Sequence, residues 1–472
     1  MVKRKVGILT FSDGRESVHR EVEPINKEFQ DRLAEALRAT GEVEPVVGRE
    51  IIWTAELART EAKRLADLGC EMTIFNFAVW SFPHLVAIAS RFAPGPFLLF
   101  SNINPRYPGM VGMLASAGAL DQIGALHGRL SGDVRDEKVL KKMLAFIRAA
   151  SAVNRLKGET FGLFGGRPMG MYTAVANTDQ WMRLFGVDVE HIDQSEIVRR
   201  AELAPADEVE HAFQWLSDRV GKIRYDGKQL TPEKLKLQIR SYIAVREMAR
   251  EMRLDFLGIK AQPELTDHFV TMDVTEAFLN DPYDWNGPKE PIVAATEADM
   301  DGALTMEILK HITGSPVLFA DLRHYDEELG VFDLCNSGTH PTYFAGRSYE
   351  PDDNLPKVEF YPQGFYFPAG GASVRHIAAP GKVTLARLAR KSGQYWLAIL
   401  PGEFVELPPE EAERKAAATQ VEWPHAFTRL EVGPEEFLSE YDSNHIHAVY
   451  GDWVEELVWV AKMLRIPYRV FS

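Results

Sequence analysis

The sequence has few cysteines, no long uninterrupted apolar run and no excess of positive charge. Only two cysteines, Cys70 and Cys335, occur among 472 residues, which excludes a disulfide framework and favours a reducing compartment. Lysine and arginine number 53 against 68 aspartates and glutamates, a net charge of -15. Because so acidic a chain has no surplus of cations to neutralise phosphates, we expect neither nucleic acid nor a membrane as partner.

The apolar stretches do not fit targeting or membrane-spanning segments. The basic start is followed by an apolar run that ends at Asp13, which is too short for a signal peptide. Residues 72–90 lack charged side chains over about the length of a membrane span, but they include Asn76 and His84. We interpret this stretch as a buried strand, a loop and a helix, and we expect a soluble cytoplasmic protein.

Length and the alternation of elements predict several domains. With 46% hydrophobic and 26% charged residues, the chain has a globular composition, and it is too long for one hydrophobic core. Residues 1–156 alternate strand-like and helix-like segments, such as a strand at 6–11 and a helix at 54–68. This alternation predicts a mostly parallel sheet with helices on both faces. We therefore expect an N-terminal α/β domain over residues 1–156.

The same alternation restarts at residue 157. A strand at 160–164 is followed by a Gly-rich turn at 165–170 and, after a helix, by a strand at 187–192. The turn lacks both GxGxxG spacing and a GK[ST] ending, so we expect no nucleotide cofactor. These elements predict a second α/β domain over residues 157–325, which carries the acidic candidates described below.

The final third of the chain has a different pattern. From about Gly330, short strands, prolines and turns dominate, and a helix is predicted from about Asp452 to Leu464. We interpret residues 326–472 as a β-rich C-terminal domain with a final helix. The predicted fold class is therefore α/β, with two doubly wound parallel-sheet domains followed by an antiparallel β-rich C-terminal domain.

Two acidic residues follow predicted strands of the second domain. Residues 291–320 have a strand–helix–strand pattern, interpreted as a βαβ unit with Glu297 and Asp321 just past the carboxyl ends of its strands. Ligands bind at this edge of α/β sheets. If the strands are neighbours, about 4.8 Å apart, both carboxylates can hold one divalent cation. Alternatively each acid caps a helix or turn, as Asp299 and Asp301 could equally do.

Two histidines near the C-terminus could supply a further metal ligand. His445 and His447 are two residues apart, so they point to the same side of an extended segment. Neutral imidazole is a common metal ligand, although either histidine taken alone could equally be a surface or a hydrogen-bonded core residue. No CxxC or HExxH pattern occurs, which argues against a zinc–thiolate site.

Other residues have both a functional and a structural interpretation. Arg15 follows the first predicted strand, where it could bind a substrate oxygen or pair with Glu16. Trp80 and Trp423 lie in predicted loops, where an indole could stack on a sugar face or pack in the interior. These patterns alone leave both interpretations open.

Several segments together resemble the L-fucose isomerase family, and the resemblance spans nearly the whole chain. The segment from Asp284 to Asp299 is similar to the family signature, and Glu297 and Asp321 keep the family's interval of 24 residues. Further matching blocks are Phe319–Arg323, Asn336–Gly338, Asn444-His445, Lys462–Pro467 and the glycine-rich residues of the turn at 165–170.

The resemblance implies an aldose–ketose isomerase that acts on an open-chain sugar through a cis-enediol. It implies that Glu297, Asp321 and His445 bind one Mn²⁺, with Mg²⁺ or Co²⁺ as substitutes, and that the two carboxylates are the acid/base pair. It also implies a hexamer with sites between subunits, in which a neighbouring subunit contributes the Trp80 loop. The residues matched to positions near the sugar are Arg15, Trp80, Gln262, Ser337, Trp423 and Asn444.

The chain departs from the longer family members near the expected sugar. Lys260 stands where glutamine is usual, and Ala372 stands where the longer enzymes carry a tyrosine. The resemblance implies L-fucose and/or D-arabinose as substrate, and these departures leave L-arabinose or a modified hexose as alternatives. A non-catalytic sugar-binding module is the alternative from another class.

Overall fold

The computed structural model describes residues 3–364 and 366–472. These residues form two compact units. Of the described residues, the first unit comprises 3–155 and 455–465, and the second comprises 156–364, 366–454 and 466–472. Among the described residues, no helix combines the length and the apolar character needed to span a membrane.

The first unit is built on a parallel sheet. Its strands are β1 (Arg4–Thr10), β2 (Val43–Val47), β3 (Met72–Phe77), β4 (Phe97–Ser101) and β5 (His127–Ser131). Its helices include α1 (Glu16–Ala39), α2 (Ala55–Asp67), α3 (Pro83–Ala89), α4 (Gly109–Gln122) and α5 (Glu137–Arg155). The strand order is β2-β1-β3-β4-β5, with every neighbour parallel. The carboxyl ends of β1 and β3 therefore lie side by side, at the position where doubly wound sheets bind ligands.

The second unit begins with another parallel sheet. Its elements up to residue 313 are β6 (Thr160–Phe164), α6 (Thr178–Phe185), β7 (Asp188–Ile192), α7 (Ser195–Ala201), α8 (Ala206–Arg219), β8 (Lys222–Ile223), α9 (Pro232–Met252), β9 (Phe256–Ile259), α10 (Glu264–His268), α11 (Asp273–Asn280), β10 (Tyr283–Asp284), β11 (Gly287–Pro288), β12 (Ala294–Thr296) and α12 (Met300–Thr313). The parallel sheet has the order β12-β9-β6-β7.

The remaining elements are mainly antiparallel strands. They are β13 (Leu318–Asp326), β14 (Val331–Cys335), α13 (Tyr343–Gly346), α14 (Pro351–Asn354), a 3-10 turn (Leu355–Lys357), β15 (Glu359–Pro362), β16 (Ala372–Arg375), β17 (Gly381–Lys391), β18 (Gln394–Phe404), α15 (Pro409–Thr419), β19 (His425–Leu430), α16 (Pro434–Glu440), β20 (His445–Tyr450), α17 (Val454–Leu464) and β21 (Tyr468–Val470).

Six of these strands close into a barrel. They pair antiparallel in the order β17-β20-β13-β14-β19-β18, and β18 pairs back with β17. β21 adds to β18 in parallel. Apolar side chains such as Leu318, Leu385 and Ile446 form the core of this barrel. Since closure leaves few free edges, the barrel is a rigid support for residues on its outer face.

Local sequence signals explain where key helices begin and end. The Thr231 hydroxyl accepts a hydrogen bond from the Lys234 amide, and Pro232 then starts α9, as predicted. The Asp299 carboxylate caps α12 in the same way, and Gly314 ends that helix in the left-handed conformation. The Asp299 cap fixes the residues that directly follow Glu297.

The predicted fold class is confirmed, but the predicted βαβ unit at residues 291–320 is wrong. β12 lies in the parallel sheet, whereas β13 pairs antiparallel with β14 and β20 in the barrel. The physical reason is that β13 runs on to Asp326 and turns at Gly330, with φ +63, into a hairpin with β14. The chain therefore crosses from sheet to barrel through α12. The predicted domain boundaries at 156/157 and 325/326 stay a prediction.

Candidate active site

Glu297 lies in a tight turn directly after β12. Glu297 and Ala298 have φ values of +58 and +47, in the left-handed region that side-chain-bearing residues rarely adopt. Gly258, on the adjacent strand β9, leaves room for this turn, because a Cβ atom there would lie 3.0 Å from the Ala298 Cα. Backbone strain held by tight packing is a frequent property of functional sites.

Strand register brings Asp321 and His445 together. Asp321 on β13 lies directly opposite His445 on β20, and opposite residues of an antiparallel pair present their side chains on the same face. Their neighbours Ala320 and Ile446 belong to the barrel core. Asp321 and His445 therefore lie on the outer face of the barrel.

Three electron-pair donors converge at this face. The Nε2 atom of His445 lies 3.0 Å from Glu297 Oε2 and 3.4 Å from Asp321 Oδ1. The other ring nitrogen, Nδ1, lies 2.7 Å from Asp299 Oδ2. The His445 side chain is 0% exposed, Glu297 9% and Asp321 29%, so solvent reaches the group from the Asp321 side.

The donor set fits a divalent cation. If Nδ1 donates its proton to Asp299, Nε2 carries a lone pair that faces two carboxylates, and this buried atom has no hydrogen-bond partner of good geometry. The two distances from Nε2 are close to the separation of adjacent ligands of an octahedral ion, about 3 Å, given metal–oxygen distances of about 2.1 Å. Two carboxylates and one imidazole suit Mn²⁺ or Mg²⁺.

The electrostatics of the three groups agree with this interpretation. Burial lowers the pKa of His445, but the carboxylates of Asp299, Glu297 and Asp321 overcome that effect and raise it to about 10. Burial also raises the pKa of Asp321 to about 6, against the lowering effect of His445. In the absence of another cation, the crowded carboxylates therefore favour a protonated imidazole. A metal ion would take over that role.

Two amides hold the Asp321 carboxylate in place. Asn336 donates to Asp321 Oδ2 at 2.8 Å, and Asn444 donates to Oδ1 at 3.2 Å. The hydroxyl of Ser337 donates to the Asn336 side-chain oxygen at 3.1 Å. Ser337 and Asn444, both predicted to lie near the sugar, thus adjoin the three converging groups, Asn444 through a direct bond to Asp321.

Trp423 joins the same network through Gln363. The indole N–H donates to Gln363 Oε1 at 3.1 Å, and the Gln363 amide donates to the Ser337 carbonyl. The guanidinium of Arg323 lies 5.9 Å from the centre of the Trp423 ring. Since Trp423 is 8% exposed, little of this large side chain is accessible to a ligand.

The remaining predicted substrate residues are Gln262 in the second unit and Arg15 and Trp80 in the first. Gln262 follows β9, the strand next to β12, and is half-buried at the same sheet edge as Glu297. Arg15 and Trp80 belong to the first unit, after the adjacent strands β1 and β3. Arg15 is exposed and bonds both oxygens of Asp13, at 2.8 and 2.7 Å.

Two other groups among the described residues bring all three possible ligand atoms within 4.8 Å of one another, Asp333 with Cys335 and His425, and Glu159 with Glu307 and His311. In the first group, both ring nitrogens of His425 are engaged, by Asp333 at 2.9 Å and by the Gln420 carbonyl at 2.9 Å. In the second, the Lys310 ammonium lies 2.6 Å from Glu307 and supplies the cation itself. In both groups the histidine is hydrogen-bonded to a carboxylate of the group, whereas His445 Nε2 faces two carboxylates without a hydrogen-bond partner of good geometry.

Sequence reasoning missed residues that support these groups. Asn336 belongs only to a block that resembles the family, and no sequence pattern points to Gln363 or to Arg387, whose guanidinium bonds Asp299. The sequence predicts Asp299 only as a possible cap, although Asp299 also contacts His445. Only Asn336 could have been found from the sequence, because it directly follows β14 and precedes Ser337. Gln363, Arg387 and Asp299 reach these groups through tertiary packing, which no local pattern predicts.

The three domains of one family match the chain in order. Residues 3–158 match the "L-fucose isomerase, first N-terminal domain", residues 160–314 the second N-terminal domain, and residues 334–472 the C-terminal domain. Proteins named L-fucose isomerase from Streptococcus pneumoniae strains CGSP14 and P1031 are each 27% identical to the chain, over 77% of its length and 75% of theirs.

These findings define the protein as an enzyme of the aldose–ketose isomerase class. The chain belongs to the L-fucose isomerase family, as the resemblance indicated.

Proposed function

We propose that the enzyme interconverts an open-chain aldose and its ketose with one Mn²⁺ held by Glu297, Asp321 and His445. The observation that carries the proposal is the convergence of these three donors while His445 Nδ1 is committed to Asp299. Mg²⁺ and Co²⁺ are expected substitutes, because the same oxygen and nitrogen donors suit them. When bound, the cation polarises the sugar carbonyl and stabilises the enediolate charge.

The two carboxylates are proposed to move the protons. One removes the proton from C2 of the aldose and returns it to C1, and the other transfers a proton between O1 and O2. Asp321 is held by Asn336 and Asn444, while Glu297 is held by the turn after β12. Both bases are thus fixed before substrate binds, which lowers the cost of reaching the reactive geometry. Ser337 and Trp423 are proposed to contact the sugar.

Turnover in deuterated water tests the proton-transfer route. The base that removes the C2 proton exchanges with solvent, so we expect deuterium at C1 of the ketose, detected by NMR or mass spectrometry. A ketose formed without label would contradict the cis-enediol route and indicate a hydride shift. Ketose incubated without enzyme provides the control for non-enzymatic exchange.

L-Fucose and/or D-arabinose are the proposed substrates. The support is the match to all three family domains and to relatives named L-fucose isomerase. We expect kcat/KM to be higher on these two sugars than on L-arabinose, measured side by side with Mn²⁺. A preference for L-arabinose, or turnover of a modified hexose alone, would contradict the proposed substrates. The proposed aldose–ketose isomerisation would still stand.

A cytoplasmic homo-hexamer is the proposed form of the enzyme. The first unit carries exposed apolar side chains on one face of α4, Met110, Val111 and Leu114, which is typical of a surface that contacts another protein. In this arrangement the Trp80 loop of one subunit would contribute to the sugar site of a neighbour, and Arg15 is proposed to contact the sugar.

A further inference from the structure

The carboxylate of Asp299 connects His445 to a buried arginine. Asp299 Oδ2 accepts from His445 Nδ1 at 2.7 Å and from Arg387 Nη1 at 2.5 Å. Its Oδ1 accepts from Arg387 Nη2 at 3.1 Å and from the Gly302 amide at 2.9 Å. The side chains of Asp299 and Arg387 are 0% and 1% exposed. Both carboxylate oxygens are therefore held by donors in an environment without solvent.

We propose that Asp299, held by Arg387, is a positioning residue that fixes the tautomer and the ring orientation of His445. This inference rests on the proposed function, since it assumes that His445 Nε2 binds the cation. A proton on Nδ1, held by Asp299, leaves the Nε2 lone pair directed at the side where Glu297 and Asp321 lie. The negative charge of Asp299 also makes the imidazole a stronger electron-pair donor.

The surroundings of the ring show why this bond is needed. Phe319 lies 4.6 Å from the His445 ring, centre to centre, and restrains its position without distinguishing the two nitrogens. Only a hydrogen bond to one nitrogen selects the tautomer. Asp299, which caps α12 and lies two positions after Glu297, accepts this hydrogen bond from His445 Nδ1. One short segment thus supplies both a proposed ligand and the group that orients another.

A matched control pair lies on the same two elements. Asp301, in the first turn of the helix that Asp299 caps, accepts from Arg390 Nε on β17 at 2.6 Å and from the Tyr395 hydroxyl at 2.7 Å. Its side chain is 2% exposed. Asp301 and Asp299 therefore resemble each other in burial and in their arginine partner, but the described partners of Asp301 do not include His445.

The test compares Asp299→Asn with Asp301→Asn. Each purified full-length protein is titrated with Mn²⁺ alone, and free Mn²⁺ is measured by electron paramagnetic resonance. We expect the Kd for Mn²⁺ to rise by about 10- to 100-fold in Asp299→Asn, the effect of losing a group that orients a metal-bound histidine. In Asp301→Asn it should stay within about threefold, although thermal unfolding temperatures fall in both variants, since each leaves a buried arginine unpaired.

The outcomes separate this inference from the proposed function. If wild-type protein binds no Mn²⁺, the proposed function fails. If wild type binds Mn²⁺ and Asp299→Asn binds it equally well, or Asp301→Asn is weakened as much, the positioning role is wrong. Should Asp299→Asn fail to fold, the double variant Asp299→Asn/Arg387→Gln removes both buried charges. It must show the same weakened Mn²⁺ binding, and wild-type affinity in it would overturn the inference.

Discussion

Replacing Glu297 with glutamine is expected to lower kcat by about 10⁴-fold, the upper end of the range for loss of a general acid or base. The upper end is expected because Glu297 is both a proposed proton-transfer group and a proposed metal ligand. The glutamine side chain keeps the size of the glutamate and an oxygen donor, so the turn after β12 should persist. Initial rates of ketose formation, measured with saturating Mn²⁺, give kcat and KM separately.

Glu290→Gln is the matched control for Glu297→Gln. Glu290 is an exposed glutamate seven positions before Glu297, so its replacement removes one negative charge from the same segment without touching the site. We expect its kcat to stay within about twofold, as for most surface substitutions. Retained turnover in Glu297→Gln would show that Glu297 is not required for the reaction. A protein that binds sugar unchanged and never turns it over, even as wild type, would be a sugar-binding module.

Removal of divalent cations is expected to abolish turnover and to lower the unfolding temperature. Dialysis against a chelator should leave less than about 1% of the activity, because the carbonyl is no longer polarised. Added Mn²⁺ should restore it. At a Mn²⁺ concentration 100 times the Kd, binding stabilises the folded state by about 2.7 kcal/mol, which calorimetry detects as a higher unfolding temperature.

Asp321→Asn identifies where that cation acts. This variant loses a proposed ligand but keeps the size of the aspartate. Its one remaining side-chain oxygen can still accept a hydrogen bond from Asn336 or Asn444. We expect its unfolding temperature to respond to Mn²⁺ far less than that of the wild type. Full activity after exhaustive chelation, or an equal Mn²⁺ response in Asp321→Asn, would contradict metal binding at these residues.

The alternation of strands and helices could be predicted from the sequence, because each element is encoded locally. β6, the cap at Thr231 and the last helix follow from apolar periodicity and capping residues within a few positions. The path of the chain after α12 could not be predicted in this way. An apolar run at residues 316–320 fits a parallel strand and a barrel strand equally well. The choice depends on pairing with β20, more than 100 residues later.

The candidate site shows the same division. The sequence singled out Glu297, Asp321 and His445 as residue types that suit a cation, and their family interval strengthened the assignment. Their approach in space depends on the register of β13 against β20 and on the left-handed turn after β12. Asp299 and Arg387 meet across 88 positions, and no local pattern encodes that contact. The groups that orient the candidate ligands are therefore the part that only the folded structure supplies.

Anomalous diffraction from crystals soaked with Mn²⁺ and a non-reacting polyol tests the central claim most directly. We expect one strong anomalous peak per chain, at about 2.0 to 2.3 Å from His445 Nε2 and from oxygens of Glu297 and Asp321, with polyol oxygens completing the coordination. A peak at other residues, or none at a Mn²⁺ concentration that supports full turnover, would contradict it.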